Sequence, residues 1–135
     1  MTGAVVPSAM SGFVRDWQMS PGRVAGDFLY LTGMSGMAPD GSLERQVEGQ
    51  IRTAFAQIGD VLSTAGLDFR AVVDVTSFHV GIAAQLPLFK RVWAEHFEEP
   101  YPAWTAVEVA GLATPGVVVE LKAVAWAGNG SGDRR

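Results

Sequence analysis

The chain contains no cysteine. Disulfide frameworks, thiolate nucleophiles and zinc–cysteine sites are therefore excluded, and the composition suits a reducing cytoplasm. Histidine is nearly as scarce. His79 and His96 stand alone with no metal-ligand spacing around them, so no metal is expected. Charged residues fill only 18% of the 135 positions, and the net charge is −4 with the basic residues scattered. No basic stripe is available for a phosphate backbone, so a nucleic-acid partner is not expected. No apolar run approaches the roughly 20 residues of a membrane span. Residues 1–12 lack the basic start of a signal peptide.

The chain does contain enough apolar residues for one real core, at 48% hydrophobic content. With so little charge, part of that apolar surface is expected to be covered by another copy of the chain. Residues 1–12 read as a flexible N-terminal segment, 13–127 as a single domain, and the Gly- and Ser-rich 128–135 as a flexible tail.

Residues 15–19 read as a short first strand, closed by a Ser20-Pro21-Gly22 turn. Residues 27–32, rich in aromatic and aliphatic side chains, read as a second strand. Gly33, Gly36, Pro39 and Gly41 then break the chain into a loop; its glycine spacing is not a phosphate-binding fingerprint, and no cofactor is expected. From Leu43 through Val47, Ile51, Phe55, Ile58 and Leu62 to Ala65, apolar residues recur at helical steps, with Ser42 as N-cap and Gly66 as stop. The β-branched stretch 71–80 predicts a central strand, and 85–97 a second helix ended by Pro100 and Pro102. Strands follow at 104–110 and 117–126. The order is β-β-α-β-α-β-β, an α+β fold with a mixed sheet and two helices on one face. Val117-Val118-Val119 is apolar on both sides of its strand, so the other sheet face needs cover, which self-association would supply.

Several segments carry a common likeness. Pro100-Tyr101-Pro102-Ala103-Trp104-Thr105-Ala106-Val107-Glu108-Val109 resembles the "P-x-P-A-R-T-x-V-x-V" segment of the RidA/YjgF imine and enamine deaminase family. Residues 26–33, Gln50, Ala65-Gly66-Leu67, Val75-Thr76-Ser77-Phe78-His79-Val80 and Val119-Glu120-Leu121-Lys122-Ala123 resemble further motifs of that family, in the same order. The resemblance implies a chorismate-mutase-like, YjgF-like fold, a homotrimer, and sites in clefts between subunits. It also implies cofactor-independent hydrolysis of 2-imino or 2-enamino acids to ammonia and a 2-keto acid.

Carried over residue by residue, Glu120 matches the acidic residue that positions water or moves a proton. Thr32 and Gly33 match a hydroxyl and the glycine after it. Three positions depart. Trp104 stands where the family has its carboxylate-clamping arginine, Met19 where it has a tyrosine, and Lys90 near its helix asparagine. An indole cannot replace the bidentate, charge-assisted bond of arginine to a carboxylate. The substrate-binding candidates are therefore Trp104, Thr32, Gly33, Met19, Lys90 and Ala106, with Glu120 as the catalytic residue.

Plainer roles stand beside these. Glu120 could pair with Lys122, Trp104 could plug the old anion pocket, and Glu108 could be a second carboxylate in the cleft or a solvated strand residue. Thr32 could serve the backbone, and Lys90 could lie on the wet face of its helix. The reading that follows is a small-molecule enzyme that hydrolyses, tautomerises or cyclises an imine, enamine or related conjugated intermediate. A step in secondary metabolism fits a bulkier substrate. The rival is a non-catalytic trimer that binds a ligand or a partner.

Overall fold

The computed structural model describes residues 3–128. Seven strands and three α-helices follow in the order β1 (Ala4–Val5), α1 (Ser11–Trp17), β2 (Gly22–Ala25), β3 (Phe28–Leu31), β4 (Met34–Ser35), α2 (Val47–Thr64), β5 (Val72–His79), α3 (Ile82–His96), β6 (Ala103–Glu108) and β7 (Val119–Trp126). The sheet order is β1-β2-β3-β7-β5-β6, with β4 pairing to β7. Only β5 and β6 run parallel, as a right-sized crossover through α3 allows. The fold is a mixed α+β sheet with α2 and α3 layered on one face.

Strand alternation divides the two faces. Val119, Leu121, Ala123 and Ala125 of β7 are buried and join Leu29, Leu31 and Val75 in one core. That core meets Ile51, Phe55, Ile58 and Leu62 of α2, and Phe89 and Val92 of α3, all essentially inaccessible to solvent. The helical period read in the sequence is the period that packs. The opposite sheet face carries Phe28, Tyr30, Phe78, Val124 and Trp126, paired across strands as Phe28 with Trp126 and Phe78 with Glu120. Tyr30 and Val73 remain exposed there.

Four local expectations are corrected. Residues 15–19 do not form a strand. The segment is the end of α1 and its cap, where Gln18 adopts a left-handed conformation and its amide bonds back to Phe13 and Val14. The first long strand begins instead at Gly22, inside the expected turn. Residues 3–12 are not a loose lead: Ala4 and Val5 pair with β2, and Met10 is wholly buried. Ser42 does not cap α2, which starts at Val47; its amide and hydroxyl both turn back to Asp40 Oδ1. Most of the expected tail, from residue 129 onward, lies outside the described residues.

Candidate active site

Glu120 sits second in β7, opposite Phe78 of β5 and Ser35 of β4. Its side chain lies across Gly33, just beyond β3. A methyl group on Gly33 would stand 2.9 Å from Glu120 Cδ and overlap Oε2, so this approach requires glycine. The carboxyl is half-buried, and burial alone pushes its pKa above the ordinary carboxylate value. A general base works best when its pKa approaches the operating pH. Lys122, its neighbour on the same face, does not pair with it; Lys122 Nζ donates to the Leu31 carbonyl.

The carboxyl opens into a pocket of about 210 Å3. Phe13, Asp16 and Trp17 of α1 form one wall with Met19, while Ser35, Met37 and Gln57 form another. Gln57 fixes that second wall by donating to the Ser35 and Met37 carbonyls at 2.8 and 3.0 Å. Met37 N–H adds a bond to Ser35 Oγ at 3.1 Å.

Trp104 lies elsewhere. In β6 it pairs with Val75, Ala106 with Ser77, and Glu108 with His79, which puts all three on the helix side of the sheet. The indole stacks on Trp93 at 4.5 Å and Phe89 at 5.4 Å between centroids. It also heads a buried chain of hydrogen bonds. Gln85 Nε2 donates to the Val80 and Val118 carbonyls, each at 2.9 Å. Its Oε1 can only accept, so His79 Nδ1, 2.8 Å away, carries the hydrogen. His79 Nε2 then accepts from the Ser77 hydroxyl at 2.8 Å, and Ser77 Oγ accepts the Trp104 Nε1–H at 2.8 Å. Every donor in this chain has an acceptor. Outside the indole lies a shallow groove of about 340 Å3, walled by Trp104, Trp93, Tyr101 and Lys90.

Within one protomer, then, the residues expected in one site fall into two groups. Glu120, Gly33 and Met19 line the first pocket, whereas Trp104 and Lys90 line the second groove. Ala106 shares the strand face of Trp104. Thr32 adjoins Gly33 without being a wall of the Glu120 pocket, and its amide bonds to the Pro21 carbonyl. Glu108 is neither a cleft carboxylate nor merely solvated. It accepts from Ile82 N–H at 2.7 Å and Gly81 N–H at 3.1 Å, capping α3, and those bonds hold its pKa below the usual value. His96 packs flat on Phe55 at 4.4 Å. Sequence reasoning missed Phe13, Asp16 and Trp17 because residues 15–19 read as a strand and no helix was expected there; the i, i+4 spacing of Phe13 and Trp17 is the available signal. It also missed Ser77 and Gln85, although Ser77 and His79 share one face by strand alternation.

Among the described residues no cluster of three His, Asp or Glu side chains could hold a metal. No described helix is long and apolar enough to cross a membrane.

A mixed sheet with two long helices on one face is the architecture of the YjgF-like class of α+β proteins. The chain belongs to the family described as Endoribonuclease L-PSP, whose model matches residues 11–127. It is 36% identical over 123 residues to the RutC family protein YjgH of Escherichia coli, covering 90% of this chain and 92% of that protein. It is 33% identical over 102 residues to the 2-iminobutanoate/2-iminopropanoate deaminase of Bos taurus, covering 74% and 73%. A solved structure of YjgH superposes with a TM-score of 0.83 at 35% identity, covering 91% of this chain and 94% of that one. RidA from an Antarctic Psychrobacter superposes at 0.76 with 25% identity, covering 90% and 94%.

Proposed function

We propose that this protein is a cytoplasmic, cofactor-independent enzyme acting on an imine, enamine or related conjugated intermediate, with Glu120 moving the proton. It works as a homotrimer, and the substrate lies in a cleft between copies where the Glu120 pocket meets a Trp104 groove. The observation that carries this reading is the half-buried Glu120 carboxyl lying over Gly33, with its pKa raised by burial. In hydrolysis Glu120 takes a proton from water as the oxygen adds to the C=N carbon. It returns the proton to the nitrogen, giving a carbinolamine, and then carries the hydroxyl proton to that nitrogen, so that the C–N bond breaks, ammonia or an amine leaves, and the carbonyl forms. In tautomerisation the same carboxyl moves a proton between carbon and nitrogen, and cyclisation uses the same base.

Three features support an oligomer and a substrate other than a simple 2-imino acid. On the sheet face shared by Tyr30, Phe78 and Trp126, Tyr30 is left 44% exposed. No lysine, arginine or histidine lines the Glu120 pocket. Trp104 replaces a permanent cation with a ring whose one N–H is already bonded to Ser77. A bulkier substrate from a secondary pathway suits this site. An RNA phosphate backbone does not suit a chain of net charge −4. The rival reading, binding without chemistry, is favoured by one observation: the Trp104 groove offers aromatic surface with no acid or base beyond Lys90.

Glu120→Gln is the test. Turnover of the true substrate should be lost while light scattering still reports a trimer. Because burial raises the Glu120 pKa, its ionised form weakens the fold as pH rises through that value, so the variant should be no less stable than the parent at pH 7. The unaltered chain should barely accelerate ammonia release from an enzymatically generated 2-imino acid. Full turnover in Glu120→Gln would remove the carboxyl from the mechanism, and rapid 2-imino acid hydrolysis by the parent would remove the argument from Trp104.

A further inference from the structure

We propose that the Glu120 pocket selects a cationic group, a protonated amine or iminium on an apolar body, and rejects carboxylates. This rests on the reading of that pocket as the substrate site, and it adds the charge of the group held there.

The charged walls of the pocket are Glu120 and Asp16, both acidic. Asp16 is paired with Arg15, which is not a wall, at 3.2 Å, and both side chains are well exposed, where solvent screens the pair; the half-buried Glu120 is the less screened of the two charges. Gln57 has donated its amide nitrogen to two backbone carbonyls, so what it can offer a ligand is its oxygen, an acceptor. The remaining polar side chains on the walls are two hydroxyls.

The rest of the lining agrees with this charge. Phe13 and Trp17 bring aromatic rings, whose faces attract cations and not anions. Trp17 is 65% exposed, so its indole is available to an incoming molecule. Met19 and Met37 add polarizable, uncharged surface for the apolar part. A carboxylate on these walls would face two like charges, Glu120 and Asp16. An iminium N–H would instead have Glu120 as acceptor, which is also where proton transfer must start. Lys90 lines the Trp104 groove, at the other end of the proposed cleft and not on the walls around Glu120.

The experiment uses the full-length protein and three probes of one shape: benzylammonium, benzyl alcohol and benzoate. Binding is read at pH 7.5 from the NMR shifts of the Gly33 amide and the Trp17 indole N–H, which distinguish this pocket from the Lys90 groove. Benzylammonium should bind about tenfold more tightly than benzyl alcohol, a ratio equivalent to 1.4 kcal/mol, and benzoate should leave both signals unshifted. Asp16→Asn and Glu120→Gln should each narrow the ratio, and binding of the alcohol confirms that each variant is folded. Acidification through the raised Glu120 titration range should weaken benzylammonium binding. Saturable benzoate shifts at these signals, no response to benzylammonium, or an undiminished ratio in both variants would overturn the proposal. Selective amine binding in a protein that converts no imine would retain the charge selection and remove the catalytic reading. Imine turnover with a preference for benzoate would do the reverse.

Discussion

Ser77→Ala tests the buried hydrogen-bond chain that holds Trp104. Ser77 and His79 are fully buried, and the Ser77 oxygen both donates to His79 Nε2 and accepts from Trp104 Nε1. Removing it leaves two groups without partners. An orphaned buried group costs about 1–3 kcal/mol. His79 Nε2 bears the full cost, while the partly exposed Trp104 bears less. The expected loss is about 2–4 kcal/mol, or very roughly 10 °C in Tm for a chain of this length. Urea unfolding at one fixed protein concentration measures it, since association would otherwise shift the midpoint. Trp104→Phe keeps a ring against Trp93 but removes the N–H. In a double-mutant cycle with Ser77→Ala it should show a coupling of about 1 kcal/mol. A Ser77→Ala loss below about 0.5 kcal/mol, within the range of an ordinary surface change, together with strict additivity in the cycle, would mean that the bonds do not hold the indole.

Two other substitutions probe the site and its frame. Gly33→Ala should cut turnover by more than tenfold with little change in far-UV circular dichroism, because the methyl displaces the Glu120 carboxyl; unchanged kcat would show that the carboxyl does not act from over Gly33. Glu108→Gln removes the charge that caps α3. The Glu108 pKa is lowered by the Ile82 and Gly81 amides, so its stabilisation is present above the unfolded-state pKa and disappears as pH falls through the lower folded value. The variant should therefore lose Tm at pH 7 and approach the parent in acid, and a constant gap across that range would refute the capping role.

Period and punctuation made most of the frame legible. The stripe from Val47 to Leu62 has one helical solution, Gly66 ends it with a positive φ, and the β-branched 72–79 segment could only be a strand. The N-terminal part was less readable. Seven residues of α1 offer a single i, i+4 apolar pair, Phe13 and Trp17, and what fixes the segment is tertiary: Met10 in the core and Val5 against Gly22. Which candidates meet within one protomer was hidden for a different reason. Alternation tells which residues of one strand share a face, but relating strands requires register. Trp104 pairs with Val75 and Glu120 with Phe78, and these positions of β5 differ by an odd number. The two side chains therefore point to opposite faces of the sheet. Motif order alone carries no such parity.

That parity sets the surroundings of position 104. Position 104 faces the helix layer, where Phe89, Trp93 and the Ser77–His79–Gln85 chain receive an indole on both its ring and its N–H. The tryptophan is fitted to its surroundings through several partners, so it is not an isolated replacement that one reversal would undo. The Glu120 pocket meanwhile has no cation of its own and presents two carboxylates and two aromatic rings. A carboxylate substrate would need both features changed together: a cation at 104 and less negative charge around Glu120. Both depart from carboxylate anchoring in the same direction, and they do so from opposite sides of the sheet, where no shared packing constraint couples them. Under the proposed function, a ligand of a different charge accounts for both at once.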